Sequence, residues 1–296
     1  MSNKLGFGGW QLANPLWNQM TMDEAVSLVR KAYQSGVRFF DTAPNYGDGN
    51  SEKAIGEALK SHRSDCFINT KLGHGKDGSN QFGIAALKPQ ILDSISRLQT
   101  IYLDAVLLHN PPIDVLGSQA HFDALDTIRQ EGLIKHYGVS IDTLAEFEMA
   151  LSQNLDVIEI LFNVFFQSPK ALFDQAKEKG VMIITKVPLD SGWLTGKYDQ
   201  DTVFTGIRDR YSLEQKQRRS QLVDEVKRIT LSDNITPFAM QFIYSFDAIS
   251  YAIPGIQNLN QLEQHVTYTK KKMSNQMKKR LEQLYDTKIS DNPLPW

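Results

Sequence analysis

The 296-residue chain has a formal net charge of −2, 41% hydrophobic and 22% charged residues, so it can bury a large core and offers no broad field for nucleic acid or an anionic membrane. No apolar run reaches the roughly 20 residues of a membrane span, and the polar start MSNKLG lacks a signal peptide's regions, so a cytoplasmic protein is expected. The single cysteine, Cys66, excludes an internal disulfide and a Cys-rich zinc site, and its apolar neighbours point to a core side chain.

Short apolar or β-branched runs alternate with stretches of helical spacing, the pattern of repeated βα units and a parallel sheet. Eight strands are predicted, at 5–10, 37–42, 66–72, 103–109, 134–140, 157–163, 181–187 and 250–255. Helices are predicted at 23–34, from about Ser51, and at 87–98, 122–130, 144–151 and 170–179. Eight such units match a closed (β/α)8 TIM barrel in number and length. The spacing breaks once, after the seventh strand, where an insertion at about 188–235 holds the Gly-rich loop PLDSGWLTGKY and a charged helix. A helix led by Pro237 follows it, and two terminal helices with a tail occupy about 259–296. No Pro- or Ser-rich linker interrupts the pattern, so one domain is expected. The basic clusters at 270–272 and 278–280 read as solvated helix faces.

Chemistry in parallel barrels sits where strands end, and three ends carry polar groups. Asp41 closes the second strand, Lys71 the third and His109 the fourth, while Tyr46 lies on the loop after Asp41. A lysine beside a tyrosine favours phenolate and lowers its pKa, and an aspartate holds that lysine charged. A neutral histidine could then orient a substrate carbonyl. Nothing in the sequence activates a serine or cysteine nucleophile, and no cluster has metal-ligand spacing.

FFDTAPNYG, Lys71, LLHNPP, YGVS, PLDSGWLTGKY and AIPG, in this order over nearly the whole chain, resemble the aldo-keto reductase family. The resemblance implies a barrel fold and a catalytic set of Asp41, Tyr46, Lys71 and His109. It also implies reversible hydride transfer between nicotinamide C4 and the carbonyl of a small aldehyde, ketone or sugar-like molecule, with Tyr46 as general acid/base.

The loops after strands seven and eight suit a dinucleotide. Pro188, Leu189, Ser191, Gly192 and Lys197 would face a pyrophosphate, with Gly255 leading into the next helix. The family's carboxamide site falls on Ser140 and Glu159, although Ile141 and Glu159 stand where asparagine and glutamine are usual. Lys186 and Phe162 are the nearest candidates for the position that stacks on the nicotinamide. Gln257, Asn258 and Gln261 replace the usual 2′-phosphate cation, with Arg208 or Arg210 as substitutes, and Gln264 and His265 would face the adenine. NADP is favoured by family habit, with NAD possible. Trp10, Trp17, Phe82, Trp193 and Trp296 are expected at the substrate rim, an aromatic set suited to a small molecule of little charge. Two rival readings are a nucleotide-sensing subunit and a Schiff-base lyase using Lys71. Oligomeric state is not legible.

Overall fold

The computed structural model describes residues 4–75 and 78–295. Eight parallel strands run in chain order: β1 (Gly6–Gly8), β2 (Phe39–Asp41), β3 (Phe67–Leu72), β4 (Leu103–His109), β5 (Ile134–Ile141), β6 (Val157–Leu161), β7 (Met182–Lys186) and β8 (Ile249–Ala252). Each pairs with its neighbours, and the ring is drawn shut by the bridges Leu5 to Ala252 and Gly8 to Gly255. The Gly8 N–H donates to the Pro254 carbonyl at 3.0 Å and the Ala252 N–H to the Lys4 carbonyl at 2.9 Å across that seam. This is the predicted (β/α)8 barrel.

The side-chain period of two along each strand divides the residues into an outward set, packed under the helices, and an inward set. Phe39, Ala105, Leu107, Val157, Ile184 and Ile253 form an apolar cluster inside the barrel. The next inward residues toward the strand C-termini are Asp41, Lys71, His109, Ser140, Glu159 and Lys186, each two residues beyond one of the apolar layer or its neighbour. One end of the barrel interior is thus packed and the other polar.

The helices follow from their ends as much as from their faces. Met22–Gln34 starts at Thr21, whose side chain accepts from Glu24 N–H while Glu24 reciprocates, a capping box. Leu144–Ser152 and Leu213–Thr230 use the same device at Thr143 and Ser212. Three helices depart from the sequence expectation. The third begins at Ile84, three residues early, and carries Pro89 inside it, and the helix expected at 122–130 begins at Gln119, again three residues early. The stretch expected as one helix at 170–179 divides into a 3-10 turn, Ser168–Leu172, and a short helix, Phe173–Glu178, broken where Leu172 takes φ −110°.

Between β7 and β8 lie the turn Asp190–Thr195 and the helices Leu213–Thr230 and Thr236–Tyr244. The chain after Lys186 is contorted: Val187, Asp190 and Ser191 take φ of 53°, 44° and 53°, conformations L-residues seldom adopt. What holds them is buried. Arg219 and Asp190, both without exposed side-chain surface, pair at 3.1 Å, and the Arg219 guanidinium also donates to the Pro295 carbonyl at 2.8 Å. Gly196 closes the turn at φ 82°, where an added Cβ would lie 2.3 Å from the Asp233 carbonyl oxygen.

Cys66 is buried and unpaired, and burial pushes its thiol up to about 11. Thiolate is scarce at neutral pH under such a shift. Iodoacetamide at pH 7.5 should therefore leave the folded protein almost unmodified and label it rapidly in urea, read by intact mass; fast labelling of the folded chain would contradict the buried placement.

Candidate active site

The polar layer at the strand ends forms one hydrogen-bonded unit. Lys71, with no exposed side-chain surface, places Nζ 2.6 and 2.7 Å from the Asp41 carboxylate oxygens and 3.2 Å from the Thr42 carbonyl. Asn69, two residues before Lys71 on the same inward face, donates to Asp41 at 2.7 Å. Glu159, 1% exposed, approaches Lys71 Nζ at 3.4 Å with one oxygen and accepts from Ser140 Oγ at 3.0 Å with the other. Lys186 then donates to Ser140 Oγ and to Asn110 Oδ1, both at 2.9 Å, and pairs with Asp142 at 2.9 Å. Some of these contacts join neighbouring strands and follow from the register Asp41 to Asn69, His109 to Ser140 and Ser140 to Glu159, while Lys71 to Glu159 and Lys186 to Ser140 link strands that do not pair.

Tyr46 is delivered to this layer by the loop after β2. Gly47, Asp48 and Gly49 all take left-handed backbone, at φ 59°, 55° and 80°. A Cβ at Gly47 would lie 2.8 Å from the Ala13 carbonyl oxygen, so the turn needs a glycine there. Thr42 Oγ1 donates to Ser51 Oγ at 2.8 Å, and Ser51 Oγ to the Gly9 carbonyl at 2.9 Å, which ties both ends of the loop to the barrel. The Tyr46 ring stands 5.1 Å from Lys71 Nζ. It packs edge-on against Trp10, with centroids 4.9 Å apart, and against His109 at 6.2 Å.

The titration of these groups follows from burial and from two carboxylates sharing one ammonium. Asp41 is pushed up to about 8 by burial and then by Glu159, against the pull of Lys71. For Lys71 burial opposes the charged form, but Asp41 and Glu159 outweigh it and its pKa rises. His109 falls well below the ordinary value through burial, reinforced by Lys71, Lys186 and His74, so its imidazole is neutral. Tyr46 corrects the sequence expectation. Its phenol is raised, not lowered, because burial exceeds the pull of Lys71 and is joined by Asp41 and Glu159.

Asp41, Tyr46 and His109 line one end of a cavity of about 880 Å³, within the range of small-molecule sites. Lys186, Pro188, Leu189, Ser191, Gly192 and Lys197 line it from the β7 side, and Gly255, Gln257, Gln261, Gln264 and His265 from the β8 side. Arg208 and Arg210 border it as well. Arg208 stacks 4.2 Å over the Trp17 ring and donates to the Tyr198 hydroxyl at 2.8 Å, joining the β1 loop to the β7 insertion.

Several expected contacts fall elsewhere. Ser140 lies beneath the cavity and reaches it only through Glu159 and Lys186. Gln261 already accepts from the Gln257 N–H at 2.9 Å, bracing the turn before helix Leu259–Tyr268. Phe162 points outward into a cluster with Phe173, Phe242 and Phe246, leaving Lys186 alone of the two at the cavity. Trp10 and Trp17 line the cavity, but Phe82 and Trp193 do not. Phe82, 6% exposed, fills the slot left by the missing side chain of Gly73, where a Cβ would sit 2.0 Å from its ring. Trp193, 0% exposed, packs among Tyr198, Phe204 and Tyr211 inside the insertion. Trp296 lies outside the described residues.

The sequence reading also missed lining groups: Gln11, Asn45, His74, Asn110 and Asp142. His74 stacks edge-on to His109 at 5.2 Å. Of these, Gln11 and Asn110 stood directly after predicted strands and His74 and Asp142 two residues after, where position alone marks them for inspection; Asn45 carried no such signal.

A dinucleotide fits this arrangement. The cavity joins the polar layer to a loop of left-handed backbone and to the amide-rich start of a helix. Within it Gln11 Oε1, Asn45 Oδ1 and His265 Nδ1 are buried without hydrogen-bond partners among the described residues. His265 is neutral, pushed down to about 4 by burial. Among the described residues no group of His, Cys, Asp and Glu could hold a metal ion, and no helix is long and apolar enough to cross a membrane.

Comparison with known proteins agrees with the geometry. The sequence model of the Aldo/keto reductase family matches residues 4–286. L-Galactose dehydrogenase of Arabidopsis thaliana is 30% identical over 275 residues, covering 88% of this chain and 82% of its own. Among solved structures, glycerol dehydrogenase from Gluconobacter oxydans superposes with a TM-score of 0.82 at 22% identity, over 99% of this chain and 94% of that one. An aldo/keto reductase from Klebsiella pneumoniae, solved with NADP and acetate, gives 0.74 at 21% identity over 99% and 94%.

Proposed function

This chain belongs to the aldo/keto reductase family, whose members are NAD(P)-dependent oxidoreductases, and on that premise we propose that it interconverts a small alcohol and its carbonyl, with Tyr46 as proton donor and acceptor. The observation that carries this reading is Lys71, fully buried and pinned by Asp41 beneath Tyr46, with His109 beside it at one end of the cavity. The bound nicotinamide supplies or accepts the hydride.

The chain's own residues divide the remaining work. In reduction the Tyr46 hydroxyl donates its proton to the substrate oxygen as negative charge develops there, and the Lys71 ammonium steadies the phenolate that remains. The neutral His109 imidazole aims the carbonyl by donating to the same oxygen. Asp41 keeps Lys71 charged and in place. That charge also disfavours the lyase alternative, since an ammonium held between two carboxylates is a poor Schiff-base nucleophile.

Pro188, Leu189, Ser191, Gly192, Lys197 and Gly255 are assigned to the cofactor's pyrophosphate side. Gln257, Gln261, Gln264 and His265 are assigned to its adenosine end. NADP(H) is the favoured cofactor, as in the Klebsiella relative, with Lys197, Arg208 and Arg210 among the cations bordering the cavity; NAD(H) is the alternative. The substrate is a small neutral carbonyl or polyol. Trp10 and Trp17 give its apolar walls, while Asn45 and Gln11 offer unpartnered acceptors to hydroxyl groups.

Titration with NADPH and, separately, NADH should quench tryptophan fluorescence, because Trp10 and Trp17 line the cavity. Adding simple aldehydes should then oxidise the bound nucleotide. Binding of neither nucleotide would sink the proposal. Binding without turnover on any carbonyl would favour a nucleotide-sensing role.

The raised Tyr46 phenol fixes the sign of the pH dependence. Its proton is held through neutrality, so the reduction rate should be level from about pH 6 to 8 and fall only in alkali, past the ordinary phenol value of about 10. Alcohol oxidation needs the phenolate and should climb with pH over that range. Steady-state rates in both directions test this, and a reduction rate that drops near neutrality would show a lowered phenol instead.

A further inference from the structure

Glu159 is a second carboxylate on a lysine already neutralised by Asp41. Lys71 and Asn69 on β3 reach it at 3.4 Å and Ser140 on β5 donates to it at 3.0 Å. One step further out, Lys71 holds Asp41 on β2, Ser140 accepts from Lys186 on β7, which pairs with Asp142 just past β5, and the Tyr46 phenol feels the Glu159 charge. Three carboxylates thus meet two ammoniums, while His109 is held neutral and Tyr46 protonated. Asp142 and Lys186 cancel each other at 2.9 Å, and Lys71 answers Asp41 at 2.6 Å. Once Asp41, pushed up to about 8, is ionised, the charge left uncompensated among these groups is that of Glu159, which is 1% exposed and lines the cavity.

Burying one unmatched carboxylate is costly unless a cation joins it. The two oxidation states of a nicotinamide differ in this respect: the oxidised ring carries a formal positive charge and the reduced ring none. We propose that Glu159 is a specificity-determining residue that makes the site favour the oxidised, cationic nicotinamide over the reduced form, poising the protein toward alcohol oxidation. In that direction the alcohol carbon would give up a hydride to a bound oxidised nicotinamide and its hydroxyl proton would pass to the Tyr46 phenolate, leaving the carbonyl and the neutral phenol. The inference rests on the cofactor reading above and concerns the direction in which this site is biased. Below the Asp41 titration near 8 the Lys71 ammonium is left to answer Glu159, and above it a second negative charge is present, so the preference for the oxidised ring grows as pH rises.

The test is equilibrium binding of NADP+, NADPH, NAD+ and NADH to the wild-type protein and to Glu159→Gln, at pH 6.5 and pH 9. In the wild type the oxidised form of the better-bound nucleotide should bind about tenfold tighter than the reduced form at the higher pH, and the gap should narrow at the lower one. In Glu159→Gln the dissociation constant for the oxidised form should rise about tenfold and that for the reduced form stay within about twofold, with the pH dependence flattened. An equal loss for both forms would show a merely structural role and overturn the proposal. So would a wild-type ratio near one at both pH values, a result that does not depend on the variant folding. If none of the four nucleotides binds the wild type, the cofactor reading itself fails, and the inference falls with it.

Discussion

Tyr46→Phe should lower kcat for carbonyl reduction about 10²- to 10⁴-fold, the usual worth of a positioned general acid, while leaving the nucleotide dissociation constant within about twofold. The phenyl ring preserves the edge-on contacts with Trp10 and His109, so the cavity wall stays in place. Only the hydroxyl is removed, and with it the group that exchanges a proton with the substrate oxygen. Stopped-flow transfer of hydride to a simple aldehyde, with nucleotide binding measured alongside, separates the two effects. Unchanged turnover would remove Tyr46 from the chemistry and leave His109 as the donor to consider.

The second large effect is expected far from the reacting atoms. Arg219→Leu leaves Asp190 buried with no partner in its place, and removing one member of a buried pair typically costs about 3–5 kcal/mol. The loss should be severe here because the same guanidinium also holds the Pro295 carbonyl and stacks over Tyr211 at 4.8 Å. Asp190 also anchors backbone held at positive φ beside Ser191 and Gly192. Urea unfolding should show a lowered midpoint. Nucleotide affinity should fall as well, since those residues line the cavity. The double variant Asp190→Leu with Arg219→Leu should recover much of the stability, because it leaves no unpaired charge. A single variant as stable as the wild type would mean that the pair contributes nothing to the loop.

All eight strands and their order were legible because a parallel barrel writes itself locally: each strand is an apolar run, each helix has an apolar face, and a residue such as Pro237 marks a helix start. Asp41, Lys71 and His109 could be singled out for a similar reason. A strand's last inward residue faces the open end of the barrel whatever the neighbours do, and period-two alternation tells which residue that is. The same rule, pressed further, would have reached Asn69, Glu159 and Lys186 as one connected layer. Their contacts, however, join strands far apart in sequence, and only the register between strands supplies them.

The chain alone therefore determined the barrel and the chemistry-bearing strand ends, because those depend on spacing within a few residues. Tertiary structure decided the rest. It turned Phe82 into the slot under Gly73 and Trp193 into the interior of the insertion, since a ring goes where a neighbouring backbone leaves room, which no local pattern encodes. It raised the Tyr46 phenol that the sequence reading expected to fall, because a pKa follows the sum of burial and every nearby charge, and Glu159 and the dry interior entered that sum only once the strands had closed into a ring.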